Sequence, residues 1–441
     1  MKIFLFLTSI LLSTKSAKAD EISFADYIDL IKNRDSEYKA LLLELEKNEY
    51  FKDQNIAADP LTLNADVENS LSGNFLSSSV GASKELSSSG TTFSAEATGR
   101  LSSPEDSGSI SLSASQSLYR NFFGSLYGLE LSAAHFLQKS QNLKTKEKIE
   151  SYLTSKMDEY LDFVKLHLDV ELATTALEQA KKLKRNVDAR LKKSAANKTD
   201  ANRAKLQLLL AEEALLIAKD AFDQVRKKIL TPLGLQTATS FPQKSLDLQD
   251  IFQLKSGGIP TESLREYQAL TFEQKASDEE KKLSKRKLLP ELAAFATYRE
   301  SSSDTGANFS SEEGATVGLT LSMTIGDTQA SAAFEAASIG ANVKTERLKA
   351  LLSRLNYEKI HMESKLENLK KRLTINRQKV SLIKRIYEDE LKRYGTGRRE
   401  IDTIIQINGD YARYQTEYNK NSVDFNKVYL KWLSFNDQLI Q

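Results

Sequence analysis

The segment Ser194-Ala-Ala-Asn-Lys-Thr-Asp200 is the one turn-prone interruption in 103 residues, Leu129 to Thr231, that contain neither glycine nor proline. As a single straight helix that stretch would run roughly 155 Å, at about 1.5 Å per residue, far beyond any compact domain. It must fold back at 194–200, as a long outgoing helix and a much shorter returning one. The outgoing part carries an apolar stripe of Ile149, Leu153, Met157, Tyr160, Val164, Leu168, Leu172, Ala176, Ala180, Leu183, Val187 and Leu191. Its eleven steps cover 42 residues, a mean near 3.8, so the helix lies nearly straight, or coils slightly right-handed, against its neighbours. The returning part, Ala201 to Ile229, is apolar around more of its girth (Leu206, Leu208, Leu209, Leu210, Leu215, Leu216, Ile217), which implies more than one neighbour. Pro232 and Gly234 stop it.

Upstream, residues 24 to 57 read as one helix capped by Ser23 and ended by Pro60. Period-two alternation then marks four strands: Leu61 to Val67, Val80 to Leu86, Phe93 to Leu101 and Ile110 to Leu118. Ser, Thr, Asn and Gly fill the alternate positions. On pattern alone, an outer-membrane barrel and a water-soluble sheet are both open. In a barrel the apolar face meets lipid and aromatic residues gather at the interface. Tyr119, Phe122, Phe123 and Tyr127, where the last strand gives way to helix, fit such a girdle, and fit equally well as packing at a strand-to-helix junction.

Residues 235–260 form a linker around Leu246 to Leu254, after which the plan restarts. A short helix over 261–289 ends at Pro290. Strands follow at Leu292 to Arg299 and Val317 to Ile325, then a long helix from about Ala332 to Tyr394, a turn at Gly395-Thr-Gly397, and a return helix from Ile401 to about Leu439. The chain thus divides into a first repeat over 20–234, the linker, and a second repeat over 261–441. Pro60 to Leu118 is 23 residues longer than Pro290 to Ile325, the size of one extra hairpin around Val80 to Leu101. One copy offers six strands, or four if that hairpin lies outside the sheet. Neither number closes a useful barrel, because about eight strands only just enclose a filled interior. Copies must pool strands, and three would give 12 or 18. The fold class is α+β: a helical rod about 100 Å long, with strands at one end and two helical turns at the other.

Residues 1–19 have the charge, apolar core and small-residue ending of a secretory signal peptide cleaved after Ala19. Without them, 59 basic residues face 60 acidic ones, which gives no case for nucleic acid. The absence of cysteine excludes disulfides and thiolate metal sites. No catalytic constellation is visible. His135, His167 and His361 stand alone on helices, so neither metal nor cofactor is expected. Gly395-Thr-Gly397 lacks the ending of a phosphate loop and reads as a helix C-cap. Leu366, Leu369, Leu373, Val380, Ile383 and Tyr387 keep heptad spacing, with Asn376 in one core slot.

The duplicated plan, the Pro60-Leu-Thr-Leu and Pro290-Glu-Leu junctions, Val317-Gly-Leu-Thr-Leu-Ser-Met-Thr-Ile325, Thr199 to Gln207 and Tyr394 to Ile401 together resemble the TolC-like outer-membrane factors of tripartite efflux and type I secretion systems. That resemblance covers essentially all of the chain after residue 19. It implies a homotrimer, with a β-barrel in the outer-membrane lipid and an α-helical barrel across the periplasm. The narrowed end would dock a periplasmic adaptor that links it to an inner-membrane pump. Docking then falls to Ser194, Ala195, Asp200, Gly395, Gly397 and Arg398, and the aperture to Arg399, Asp402, Thr403 and Gln406. Two departures stand out. Ser194 replaces the family's tip glycine, and Thr403 and Gln406 occupy the positions where some members line the aperture with aspartates, Asp402 being one residue out of register. The competing reading is a periplasmic coiled-coil adaptor or structural protein outside the membrane. Such an adaptor needs only one helical hairpin, where this chain has two.

Overall fold

A computed structural model describes residues 23–56, 59, 61–70, 75–102, 106–194, 196–235, 259–304 and 309–439. The signal segment, Pro60, Ala195 and nearly all of the linker lie outside the described residues. The elements in chain order are α1 (Phe24–Arg34), α2 (Ser36–Lys47), α3 (Phe51–Asn55), β1 (Leu61–Ser70), β2 (Phe75–Leu86), β3 (Thr91–Ser102), β4 (Asp106–Ser117), α4 (Ser125–Lys192), α5 (Lys198–Leu230), α6 (Arg265–Lys287), β5 (Glu291–Asp304), β6 (Phe309–Ser322), α7 (Thr328–Gly395) and α8 (Ile401–Phe435). The chain divides into two compact units: a helical one built from Met1–Leu41, Ile149–Gly258 and Glu358–Gln441, and a sheet-bearing one built from Leu42–Lys148 and Ile259–Tyr357. The long helices α4 and α7, 68 residues each, contribute to both.

In the helical unit the core is aromatic where α1 meets α4. Tyr160 and Phe163 are fully buried, with Tyr160 stacked on Tyr27 at 5.1 Å and edge-on to Phe24 at 5.4 Å. Burial raises the phenols of Tyr27 and Tyr160 well above their ordinary value, and the acidic neighbours Glu159 and Asp35 push Tyr27 the same way. Leu161 and Phe163 are buried beside the stripe read from spacing, which widens the buried face at this level. The first helix is not continuous, as the sequence reading expected, but breaks at Asp35. There the backbone turns extended (φ −70°, ψ 124°), and the Asp35 carboxylate accepts from the amides of Glu37 and Tyr38 and from the Tyr152 hydroxyl at 2.8 Å. A carboxylate that caps the next helix competes with the continuous hydrogen-bond ladder.

In the sheet-bearing unit all six strands form one antiparallel sheet in the order β1-β2-β3-β4-β5-β6. The extra hairpin therefore belongs to the sheet. Its turn is seated by two glycines in the left-handed region. A Cβ on Gly124 (φ 67°) would lie 2.3 Å from the Ser88 carbonyl oxygen, and one on Gly90 (φ 69°) 2.6 Å from that of Asn121. β5 and β6 run further than alternation indicated, to Asp304 and from Phe309, because their outer halves are Ser- and Glu-rich and keep their pairing without an apolar alternation to read. At the other end Met323 and Ile325 lie beyond β6, with Ile325 90% exposed. At the foot of the sheet Glu291 accepts from Ser117 Oγ at 2.5 Å and pairs with Arg120 at 2.6 Å. Further along the helices Glu273, 12% exposed at its side chain, pairs with both Lys144 and Lys344 and accepts from Ser140 Oγ at 3.4 Å. Burial alone would raise that carboxyl, but the two lysines outweigh it and hold it below the ordinary range.

Candidate functional site

Cross-strand partners sort the sheet into two faces. The line Leu61, Lys84, Phe93, Ala114, Ala296 and Val317 runs directly across all six strands, each residue opposite the next. Its face carries Leu63, Val67, Val80, Leu112, Leu319 and Leu321, all more than half exposed, so a broad apolar surface lies open. The opposite face is polar, and a cavity of about 710 Å³ on it is lined by Asp66, Glu68, Arg100, Arg299 and Glu312 among serines and threonines. Acidic residues outnumber basic ones on this face: Asp66, Glu68, Glu85, Glu96 and Glu312 stand against Arg100 and Arg299. Two large side chains break its polarity: Phe75, with the Arg100 guanidinium 4.1 Å from the centre of its ring, and Phe295. Phe295 covers Gly318, where a Cβ would come within 2.7 Å of the ring. An aromatic laid over a strand glycine restores packing that glycine cannot supply. Strands of 10 to 14 residues are long enough to cross a hydrocarbon layer, which takes about 9–11 tilted residues. No helix among the described residues is long and apolar enough to do so.

The girdle candidates follow β4. Tyr119, Phe122 and Phe123 are at least half exposed, with Phe122 and Phe123 edge-to-face at 4.5 Å, while Tyr127 is half-buried on the first turn of α4. Phe123 takes a left-handed backbone (φ 44°) just before Gly124, which turns the chain from strand into helix and leaves its ring outward.

The second location is the pair of turns in the helical unit. Between α4 and α5, Ser194 adopts φ 55°, the conformation a tip glycine would take, so the serine keeps the turn at a conformational cost of about 1–2 kcal/mol. Asn197 starts α5 with a capping box: its Oδ1 accepts from the Asp200 amide at 2.8 Å, and Asp200 accepts from the Asn197 amide at 3.3 Å. Asp200 is thus a helix cap first. Between α7 and α8, Gly395 ends the helix and Gly397 takes φ 80°. The Arg398 amide donates to Arg393 O and the Gly397 amide to Tyr394 O, both at 3.0 Å, which makes a Schellman cap. Leu183, Val187, Ala204, Tyr387, Tyr394, Ile401 and Ile404 form the core beneath.

Contacts distant in sequence tie these turns together. Arg190 Nη1 donates to the Tyr394 carbonyl at 2.6 Å, and its guanidinium lies 4.6 Å from the centre of the Tyr394 ring. Arg203, on α5, pairs with Asp402, on α8, at 2.5 Å. Arg399 Nε donates at 2.5 Å to Glu390, whose side chain is 13% exposed and also accepts from Arg393 at 3.2 Å. Within one copy, then, Arg399 and Asp402 each hold a partner from their own chain. Thr403 is half-buried and Gln406 exposed on the first turns of α8. Arg190, Arg203, Glu390 and Tyr394 escaped the sequence reading, because a contact such as 190 to 394 leaves no local signature.

The chain has the fold of the TolC-like outer-membrane factors. Its sequence matches no family model and no curated protein. Among solved structures it is similar to CusC, whose structures concern folding and transmembrane channel formation, with a TM-score of 0.71 over 94% of this chain and 92% of that one at 10% identity. It is also similar to the outer membrane protein VceC of Vibrio cholerae (TM-score 0.68, 12% identity, 94% and 96% covered) and to the CmeC outer membrane channel of Campylobacter jejuni (0.65, 14%, 97% and 90%).

Proposed function

We propose that the protein is the outer-membrane channel of an efflux or type I secretion system, a passive conduit in which no chemistry occurs and which an inner-membrane pump drives through a periplasmic adaptor. One observation carries this reading: an open six-stranded sheet with an apolar outer face and a polar inner one, which is stable only when its edges are closed and its apolar face meets lipid. Copies of the chain supply the closure, as a homotrimer. Exposed Leu206, Leu209, Leu210, Leu216 and Ile217 on α5 support the same association, since a solitary helix pair would not leave them uncovered. The duplicated plan of strands, long helix and return helix gives each copy two hairpins, and the turns at 194–200 and 395–400 form the end that meets the adaptor. The aromatic cluster at Tyr119, Phe122, Phe123 and Tyr127 marks the periplasmic membrane interface. The N-terminal segment directs export, so that the mature protein sits in the outer membrane and reaches into the periplasm.

Sucrose-gradient separation of membranes, with gels of unheated sample, tests the proposal. An outer-membrane protein that migrates as a heat-sensitive oligomer is expected. A soluble periplasmic monomer would overturn it.

A further inference from the structure

We propose that a second copy of this chain continues the sheet, β6 of one copy pairing with β1 of the next in the register that sets Val317 opposite Val67. All six strands of each copy then enter the ring. The inference rests on the channel reading above and fixes what that reading leaves open, the number of strands and their stagger.

β1 and β6 are the two edges, each with a row of backbone groups unpaired within the sheet. An antiparallel sheet with an even number of strands has edges that run in opposite directions. Identical copies related by rotation can therefore join β6 to β1 antiparallel, without any change of pattern. Face continuity is the next constraint. The odd-numbered residues of β1 (Leu61, Leu63, Ala65, Val67) and of β6 (Ala315, Val317, Leu319, Leu321) share the apolar face, so only registers that pair odd with odd keep that face whole.

Tilt selects among these. The perpendicular line that leaves Leu61 arrives at Val317, so the partner of Val317 on the next copy fixes the offset gained over six strands. Below Leu61 there is no strand, which leaves only offsets toward Ser70. With about 3.3 Å per residue and about 4.8 Å between strands, offsets of two, four, six and eight residues correspond to tilts of about 13°, 25°, 35° and 43°. Closed barrels tilt by about 35–45°, which retains six and eight. Eight would set Asn69 against Val317 inside the apolar band. Six sets Val67 against Val317, Ala65 against Leu319 and Leu63 against Leu321, with Glu68 against Thr316 on the polar face. Three copies in this register make eighteen strands and a ring about 34 Å across its backbone, against about 22 Å for twelve. Eighteen strands is the range in which porins keep an aqueous channel.

The chain contains no cysteine, so paired cysteines report the register without background. Directly opposed residues lie within disulfide reach, and residues four positions out of register do not. Thr316→Cys with Glu68→Cys, oxidised in isolated outer membranes, is expected to give a covalent trimer on boiled non-reducing gels. Thr316→Cys with Asn64→Cys should stay monomeric, and the in-sheet pair Asp66→Cys with Ser79→Cys confirms that oxidation went to completion. Preferential linkage of the 316/64 pair would overturn the register. No linkage of either pair, in a protein that remains a heat-sensitive oligomer in the outer membrane, would overturn this register and leave the channel reading standing. A soluble monomer would overturn both.

Discussion

Replacing Arg190 by alanine should loosen the junction of the two helical turns. The side chain donates a hydrogen bond of 2.6 Å to the Tyr394 carbonyl, holds its guanidinium 4.6 Å from the centre of the ring, and also hydrogen-bonds the Tyr394 hydroxyl. A hydrogen bond from a charged donor contributes about 1.5–3 kcal/mol. A half-exposed cation over an aromatic ring contributes about 0.5–1 kcal/mol. Their sum places Arg190→Ala about 2–4 kcal/mol below the parent, and the loss should be local. Tyr394→Phe keeps the carbonyl and the ring but loses the hydroxyl's hydrogen bond with Arg190, and should cost about 1–2 kcal/mol. Tyr394→Leu loses the ring face and some packing in a core where Tyr394 is 3% exposed, and should fall between the two. Urea unfolding in detergent gives the stabilities, and amide exchange over 183–204 and 387–404 shows whether the loss sits at the turns. Arg190→Ala within about 0.5 kcal/mol of the parent, with unchanged exchange, would refute the reasoning.

Arg399→Glu sets a carboxylate against the nearly buried Glu390, and should raise single-channel conductance in planar bilayers if that pair helps hold the aperture closed; unchanged conductance removes Arg399 from the gate. Glu273 is held below its ordinary value, so its contribution is fully present above about pH 4.3, where the unfolded group ionises, and is lost as pH falls through the folded value. Glu273→Gln should therefore flatten the acid limb of the stability curve. At neutral pH it should cost about 2 kcal/mol, less than the 3–5 of a fully buried pair because Lys144 is half exposed. The acidic excess on the polar face predicts a preference for cations, and Asp66→Asn with Glu68→Gln should reduce it in reversal-potential measurements.

Much of this fold was legible in the sequence because its signals are long-range and redundant. A stretch of 103 residues without glycine or proline, its apolar residues spaced by three and four, reads as helix on either side of one turn, and Leu61-Thr-Leu-Asn-Ala-Asp-Val67 alternates as a strand does. Failures occurred where a single side chain decides the local outcome. Asp35 breaks a helix whose apolar spacing runs on past it, because its carboxylate caps the next turn. Outer halves such as Ser301-Ser-Ser-Asp304 hold their strand through backbone pairing with β4 and β6, which leaves no alternation to read. Ser194 takes the left-handed conformation that favours glycine, so the turn is placed by the sequence but its backbone geometry is not. Of the candidate site, the turns could be placed, but not the contacts that tie them. Arg190 and Tyr394 are 204 residues apart, and Arg203 and Asp402 are 199 apart.

An aqueous passage through a membrane is the property on which everything proposed for this chain depends. Purified protein added to a planar lipid bilayer should insert and produce discrete, long-lived conductance steps whose size scales with bulk salt, as a water-filled pore requires. A heat-sensitive oligomer that binds the bilayer yet yields no conductance steps, even with Arg399→Glu, would contradict it.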